Sequence, residues 1–320
     1  MVDLLTLPAD NQASPAMHRA TAEKPVAEKF RRKELAWADR ESLPRTEHRV
    51  FLGDAREMAE LGDGPRVHLV VTSPPYWTLK KYPGSIANGQ LGSIGDYDEF
   101  QRNLGRVWRR CYTLLHPGGR LCIVVGDVCL SRRSAGRHSV IPLHADIVGH
   151  AQSAGFDYLS PIFWYKIANA ATEVAGNGAT FLGKPYEPNA IIKSDVEYIL
   201  IFRKPGEYRH PTEHQRRLSI IDKENHRKWF RQVWTDIPGE STKDHPAPFP
   251  KELVFRLVSM FSFVGDTILD PFWGLGHTTA AAIDAHRSSV GYEIEPEYFR
   301  LGRSRFSRLG FEGYTVSFVD

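Results

Sequence analysis

A serine hydroxyl, a proline carbonyl and two aromatic rings are brought together in Thr72-Ser73-Pro74-Pro75-Tyr76-Trp77, directly after the apolar run Val67-His68-Leu69-Val70-Val71. Consecutive prolines stop a sheet ladder and fix the backbone. They leave the Ser73 hydroxyl and the Pro74 carbonyl, which no following amide can cap locally, pointing out of the strand end. With the rings of Tyr76 and Trp77 beside them, these acceptors form a rigid polar notch suited to a flat ring carrying an exocyclic amino group. Such an amine is a poor nucleophile because its lone pair is delocalised into the ring. Two acceptors for its protons would draw the nitrogen towards a tetrahedral shape and concentrate that lone pair, so that positioning and electrostatics supply the rate. The plain alternative is a strand closed by a proline turn over an aromatic cluster.

A second string, Gly265 to Thr279, reads as strand, glycine turn and helix start: Thr267-Ile268-Leu269 is short and apolar, then come Asp270-Pro271-Phe272-Trp273-Gly274-Leu275-Gly276, then His277-Thr278-Thr279-Ala280. Two glycines let a backbone approach a ligand closely, and amides at the following helix N-terminus would face an anionic or polar group. A further strand, Ser289 to Tyr292, ends in Glu293. An acid about twenty residues beyond a glycine turn is where a nucleoside ribose finds a hydroxyl acceptor.

The elements that must position these strings alternate. Strands are expected at Arg49–Leu52, Val67–Val71, Leu121–Val125, Ile162–Trp164, Glu197–Phe202, Thr267–Leu269 and Ser289–Tyr292. Helices are expected at Tyr97–Leu115, Leu143–Ala154, Lys251–Phe261, Thr278–Ala285 and Pro296–Leu309. The pattern implies an α/β, Rossmann-like, doubly wound and mostly parallel sheet, on which ligands lie outside the carboxyl ends of the strands. Ser73, the glycine turn, Glu293 and Asp54, which follows the strand ending at Leu52, all fall at such ends.

Together these strings resemble the amino-methylating DNA methyltransferases of the group whose catalytic motif precedes its cofactor motif. The resemblance spans residues from about 46 to 305 and implies the S-adenosylmethionine-dependent fold in permuted order. Ser73-Pro74-Pro75-Tyr76 matches the family's catalytic tetrapeptide, and its Ser form, with Thr72 before and Trp77 after, looks most like members that methylate cytosine N4. The resemblance implies S-adenosyl-L-methionine as cofactor, held by Asp54, Thr72, Pro248, Asp270, Pro271, Phe272, Gly274, Gly276, Thr278 and Glu293. It also implies a duplex DNA substrate whose target base is flipped out, with Tyr76 as its stacking platform and Trp77 nearby. His277 departs from the family pattern by taking the place of a threonine, and Leu275 replaces a small polar residue between the glycines. Adenine N6 is the nearest alternative target. A protein-amide methyltransferase and a catalytically inactive DNA-binding protein are the others, while a nicotinamide dehydrogenase would explain the glycine turn but not the serine notch.

The net charge of +3 does not announce nucleic acid by itself, but its distribution is uneven. Between Arg203 and Arg231 nine Lys/Arg, among them Arg216, Arg217 and Lys228, face four Asp/Glu, with Trp229 and Phe230 alongside. A basic aromatic segment can grip phosphates and stack bases, and a solvated helix face is its bland counterpart. A shorter basic loop carries Arg132, Arg133 and Arg137 just beyond a strand end. Residues 168–190 and 203–244 are therefore expected to recognise the target within a methyltransferase domain spanning 46–320. Residues 1–45 are expected to form a mobile extension or a partner-binding arm, with Glu23 to Asp39 as a candidate helix. Cys111, Cys122 and Cys129 do not follow a proline, as a thiolate nucleophile for carbon methylation typically would, and are too scattered for zinc. No metal, no membrane span, a cytoplasmic location and a monomer or homodimer are the remaining expectations, with a cognate restriction endonuclease as a potential companion.

Overall fold

The computed structural model describes residues 43–79, 89–166, 181–182, 188, 191–192, 194–239, 249–307 and 313–320. The expected extension up to residue 42, its helix over 23–39, Pro248 and most of 168–190 lie outside the described residues. Nine strands form one sheet: β1 (Thr46–Leu52), β2 (Val67–Thr72), β3 (Leu115–Val125), β4 (Asp157–Tyr165), β5 (Val196–Arg203), β6 (Val233–Trp234), β7 (Thr267–Asp270), β8 (Ser288–Glu293) and β9 (Tyr314–Val319). Their order across the sheet is β6-β4-β5-β3-β2-β7-β8-β1-β9. All neighbours pair in parallel except at β5, which runs antiparallel to both β3 and β4. The amino end of β5 consequently lies at the same edge as the carboxyl ends of β2, β3 and β7.

Both faces are covered, so the central strands are apolar throughout rather than alternating with polar residues. Along β3, Leu121, Ile123 and Val125 join the core beneath helices α1 (Tyr97–Leu114) and α2 (Leu143–Ser153), while Cys122 and Val124 join the opposite core. That second core lies against α5 (Lys251–Phe261) and α6 (His277–Asp284); the two short helices α3 (Glu213–Leu218) and α4 (Lys223–Trp229) precede them, and α7 (Pro296–Ser307) follows. In α1 the apolar residues Phe100, Leu104, Val107, Trp108, Cys111 and Leu114 recur at helical spacing and are buried. Its first turn is capped by the Asp96 carboxylate, which accepts from the Glu99 amide at 2.7 Å. Cys111 and Cys122 are packing residues, and burial pushes the Cys122 thiol up to about 12.

Several elements differ from expectation. β3 starts at Leu115 and runs through Pro117-Gly118-Gly119, because β5 and the chain after it supply partners there: the Lys204 amide donates to the Gly119 carbonyl and the Gly118 amide to the Lys204 carbonyl, both at 3.0 Å. The strand β9 and a hairpin of Val128–Leu130 with Ser139–Ile141 were not expected. β9 is an edge strand whose residues alternate between half-buried and exposed, which leaves little apolar signal.

Candidate active site

Adjacency in the sheet joins the two strings. β2 and β7 are neighbours, so Thr72, closing β2, donates its hydroxyl to Asp270, closing β7, at 2.7 Å. The other Asp270 oxygen takes the Thr278 hydroxyl at 2.6 Å, and the Phe272 amide donates to the first at 3.1 Å. Asp270 is fully buried, and that burial pushes its carboxyl up to about 6 against the pull of these three donors. One carboxylate thus fixes the end of β2, the turn and the first residues of α6.

The turn itself follows from its glycines. Gly274 and Gly276 have φ of 55° and 82°, a region that residues with a Cβ rarely adopt. Between them and the sheet the Trp273 ring is socketed by glycine. A Cβ at Gly291 would stand 2.2 Å from Trp273 Cδ1, and one at Gly302 2.3 Å from Cζ3. The indole Nε1 donates to Thr279 Oγ1 at 2.8 Å, which continues through Ser289 to the buried His48. His277, in the unexpected place, bonds the Phe249 carbonyl through Nδ1 at 2.7 Å, so the substitution supplies its own anchor between α6 and the start of α5.

A cleft partly open to solvent lies above the turn, lined among others by Gly53, Asp54, Ser73, Pro74, Phe272 and Glu293. Glu293, 7 % exposed, accepts from the Gly274 amide at 2.7 Å and the Glu295 amide at 2.8 Å. Burial pushes it up to about 7 despite those amides. Each oxygen keeps a second lone pair for a hydroxyl donor, and Phe272 and Ile294 give the same lining an apolar side. Such a donor set fits a ribose with a flat apolar base beside it. Asp54 also borders the cleft but is held by Arg56, whose Nε lies 2.9 Å from both carboxylate oxygens. Arg56, which reaches on to Asn103 Oδ1 at 2.8 Å, escaped the sequence reading although it lies two residues from Asp54.

Ser73 opens on the same cleft. Its Oγ lies 3.5 Å from the Tyr76 hydroxyl, which donates to Glu197 Oε2 at 3.2 Å; Lys166 Nζ meets the other oxygen at 2.7 Å. Glu197 and Lys166 were also missed. Their one signal was a charged residue opening an otherwise apolar strand. Tyr76, expected to be the stacking platform, is 8 % exposed and packed in the core, with its hydroxyl engaged. Trp77 is half-buried edge-on against Tyr97, with the strained φ of 49° and an indole Nε1 that has no partner among the described residues.

The basic residues separate. Arg132, Arg133 and Arg137 are exposed on the hairpin that leaves the carboxyl end of β3, at the edge of the site. Arg216 and Arg217 lie away from this edge. Their helix α3, opened by a capping box at Thr212 and Gln215, is tied by Gln215 Nε2 to the Val264 carbonyl at 3.3 Å, and Ser219 Oγ accepts from the Val264 amide at 2.8 Å. Val264 leads into the amino end of β7, so α3 straps the opposite end of the sheet from Ser73. Lys228 pairs with Asp236 at 2.8 Å, beside the buried Arg256 guanidinium.

A mostly parallel sheet with a glycine turn, a ribose-type acid and a serine notch at its carboxyl edge defines a nucleoside-cofactor methyltransferase of the Rossmann-like class. The sequence profile of the N6/N4 DNA methylases matches residues 67–304, and the chain belongs to that family, whose methyl donor is S-adenosylmethionine. It is 37% identical over 307 residues to the type II methyltransferase M.MjaI of Methanocaldococcus jannaschii, covering 86% of this chain and 97% of the relative. M.MthZI of Methanothermobacter thermautotrophicus is 33% identical, covering 82% and 77%. Among solved structures, the Thermus thermophilus protein TTHA0409, complexed with S-adenosyl-L-methionine, superposes with a TM-score of 0.69 at 49% identity, covering 85% of this chain and 98% of its own. PvuII DNA methyltransferase (cytosine-N4-specific) shares the fold with a TM-score of 0.56 at 18% identity, covering 85% and 92%.

Proposed function

We propose that this chain transfers a methyl group to the exocyclic N4 of a cytosine flipped out of a short sequence in duplex DNA. The observation that carries the reading is the Ser73-Pro74-Pro75-Tyr76 notch opening on the cofactor cleft and locked to its turn by the 2.7 Å bond from Thr72 to Asp270. S-adenosyl-L-methionine, when bound, supplies a methyl group on a positively charged sulfur. Glu293 would take its ribose hydroxyls, the Gly274 to Thr278 turn would offer amides to its polar end, and Asp54 with Phe272 would border its base. Ser73 Oγ and the Pro74 carbonyl would accept the two amino protons of the target base and hold its nitrogen in line with the cleft. These acceptors are fixed before the base arrives, so little reorganisation is left for the reaction itself.

The base must leave the duplex to reach this notch. Arg132, Arg133 and Arg137, exposed beside the site, suit phosphate contacts that would hold the opened strand. Trp77 is the aromatic residue nearest the notch that remains for a contact with DNA, and Lys228 with the rest of 203–244 stays a recognition candidate. A restriction endonuclease reading the same sequence is the proposed companion. The test is mass spectrometry of nucleosides from unmethylated DNA incubated with protein and S-adenosyl-L-methionine, with Ser73→Ala as control. N4-methylcytosine made by the natural chain and not by the variant is expected. N6-methyladenine would overturn the base assignment, and neither product on DNA of varied sequence would overturn the activity.

A further inference from the structure

We propose that Glu197 is a positioning residue that sets the direction of the hydrogen-bond chain ending on Ser73, so that lone pairs rather than a proton face the amine. The inference rests on the amine-methylating reading above.

The antiparallel sense of β5 makes this contact available. Tyr198 pairs with Val125, so Glu197, one residue earlier, stands level with Gly126 just past the end of β3. A Cβ on Gly126 would lie 3.3 Å from Glu197 Cγ and 3.4 Å from Tyr76 Cε2, so the missing side chain is what gives the carboxylate room beside the tyrosine. The Glu197 side chain is 12% exposed, and Lys166 holds it from the solvent side at 2.7 Å.

The inventory of donors then decides the polarity. Lys166 has only protons to give, and an ionised carboxylate can only accept. Tyr76 has one hydroxyl proton, and the carboxylate claims it at 3.2 Å. The phenol oxygen therefore presents a lone pair to Ser73, 3.5 Å away, and the Ser73 proton turns towards it. Ser73 is left with lone pairs for the substrate amine. Without the carboxylate the same chain can run backwards, with Tyr76 donating to Ser73 and the Ser73 proton opposing the amino protons. Both oxygen–oxygen distances exceed those of strong hydroxyl bonds, and contacts of this kind tighten when substrate arrives.

The experiment measures kcat, the DNA KM, cofactor Kd and thermal midpoint for the full chain and for Glu197→Gln, Tyr76→Phe and the double variant. Glutamine keeps the shape but brings an amide that can donate. We expect Glu197→Gln to lower kcat by about 10- to 100-fold, as for one hydrogen bond to a charged group, with DNA KM, cofactor Kd and midpoint nearly unchanged. Tyr76→Phe, which cuts the chain in the middle, should behave alike, and the double variant should be no slower than the slower single one. Unchanged kcat in Glu197→Gln would overturn the proposal. So would a joint loss of cofactor affinity and midpoint, which marks a structural strut, or multiplying losses in the double variant. A natural chain that methylates no base would instead overturn the reading on which the inference rests.

Discussion

Replacing Thr72 by valine keeps the shape of a buried residue and removes one proton donor from Asp270. The cost depends on the charge of that carboxyl, which burial raises to about 6. Above that pH the lost bond is one to an ion, costing about 1.5–3 kcal/mol; below it the bond is between neutral groups, costing about 0.5–1.5 kcal/mol. The deficit of the variant should therefore be larger at pH 8 than at pH 5 by about 1 kcal/mol or more. The sign follows from linkage. In both chains Asp270 sits above its ordinary 3.8, so each loses stability as pH rises through its own folded value. The Thr72 hydroxyl holds that value down, so its removal raises the value further, and the variant loses more over the same rise.

At roughly 2 °C per kcal/mol for a body of this size, the melting midpoint should lie about 3–6 °C below that of the natural chain at pH 8, and about 1–3 °C below it at pH 5. Thermal melts followed by circular dichroism across that range, without cofactor, decide the matter. A deficit that is equal at both ends, or larger at pH 5, would refute an ionised Asp270 as the clasp between the two strings. Cofactor affinity should fall with stability at pH 8, because the same carboxylate holds the turn that lines the cleft.

Glu293 is held up at about 7, so hydroxyl donors from a bound ribose should drive it to ionise, releasing roughly half a proton per cofactor at pH 7. Calorimetry in two buffers of different ionisation enthalpy reads that proton, and uptake or no exchange would remove Glu293 from the ribose site. Gly291→Ala places a Cβ 2.2 Å from the Trp273 ring, so it should destabilise the chain by about 1–3 kcal/mol or more in urea unfolding. A neutral result would mean that the socket yields. Arg132→Glu with Arg133→Glu should weaken DNA binding and flatten its salt dependence by about two phosphate contacts, whereas Arg216→Glu with Arg217→Glu should change neither. Equal losses from the two pairs would return α3 to the DNA interface.

Where a motif lies within one strand–turn–helix unit, the sequence was sufficient to place it. The proline pair after an apolar run, the paired glycines before a helix and the acid ending the next strand all lie within single strand–turn–helix units. Their neighbours along the chain are their neighbours in space, and the five long helices and the strands β2, β7 and β8 fall within a few residues of expectation. The basic run from Arg203 to Arg231 shows the converse. Its composition suits phosphate, yet composition does not say which end of a sheet a helix covers. That was decided by Gln215 and Ser219 bonding to Val264, a contact between residues more than forty positions apart.

The same reasoning explains why the two walls of the site differ in legibility. The wall proposed for the cofactor is built from parallel units, each of which delivers its candidate residue at its own carboxyl end, as the order of elements requires. The wall proposed to face the base depends on β5 being antiparallel, which delivers an amino-terminal residue to that edge. Seen along the chain, Glu197 is a polar opening to an apolar strand. Beside Gly126, Tyr76 and Lys166 it becomes the acceptor end of a chain reaching Ser73. A tetrapeptide can therefore announce acceptors for an amine, while the direction in which those acceptors point is set by a residue more than a hundred positions away.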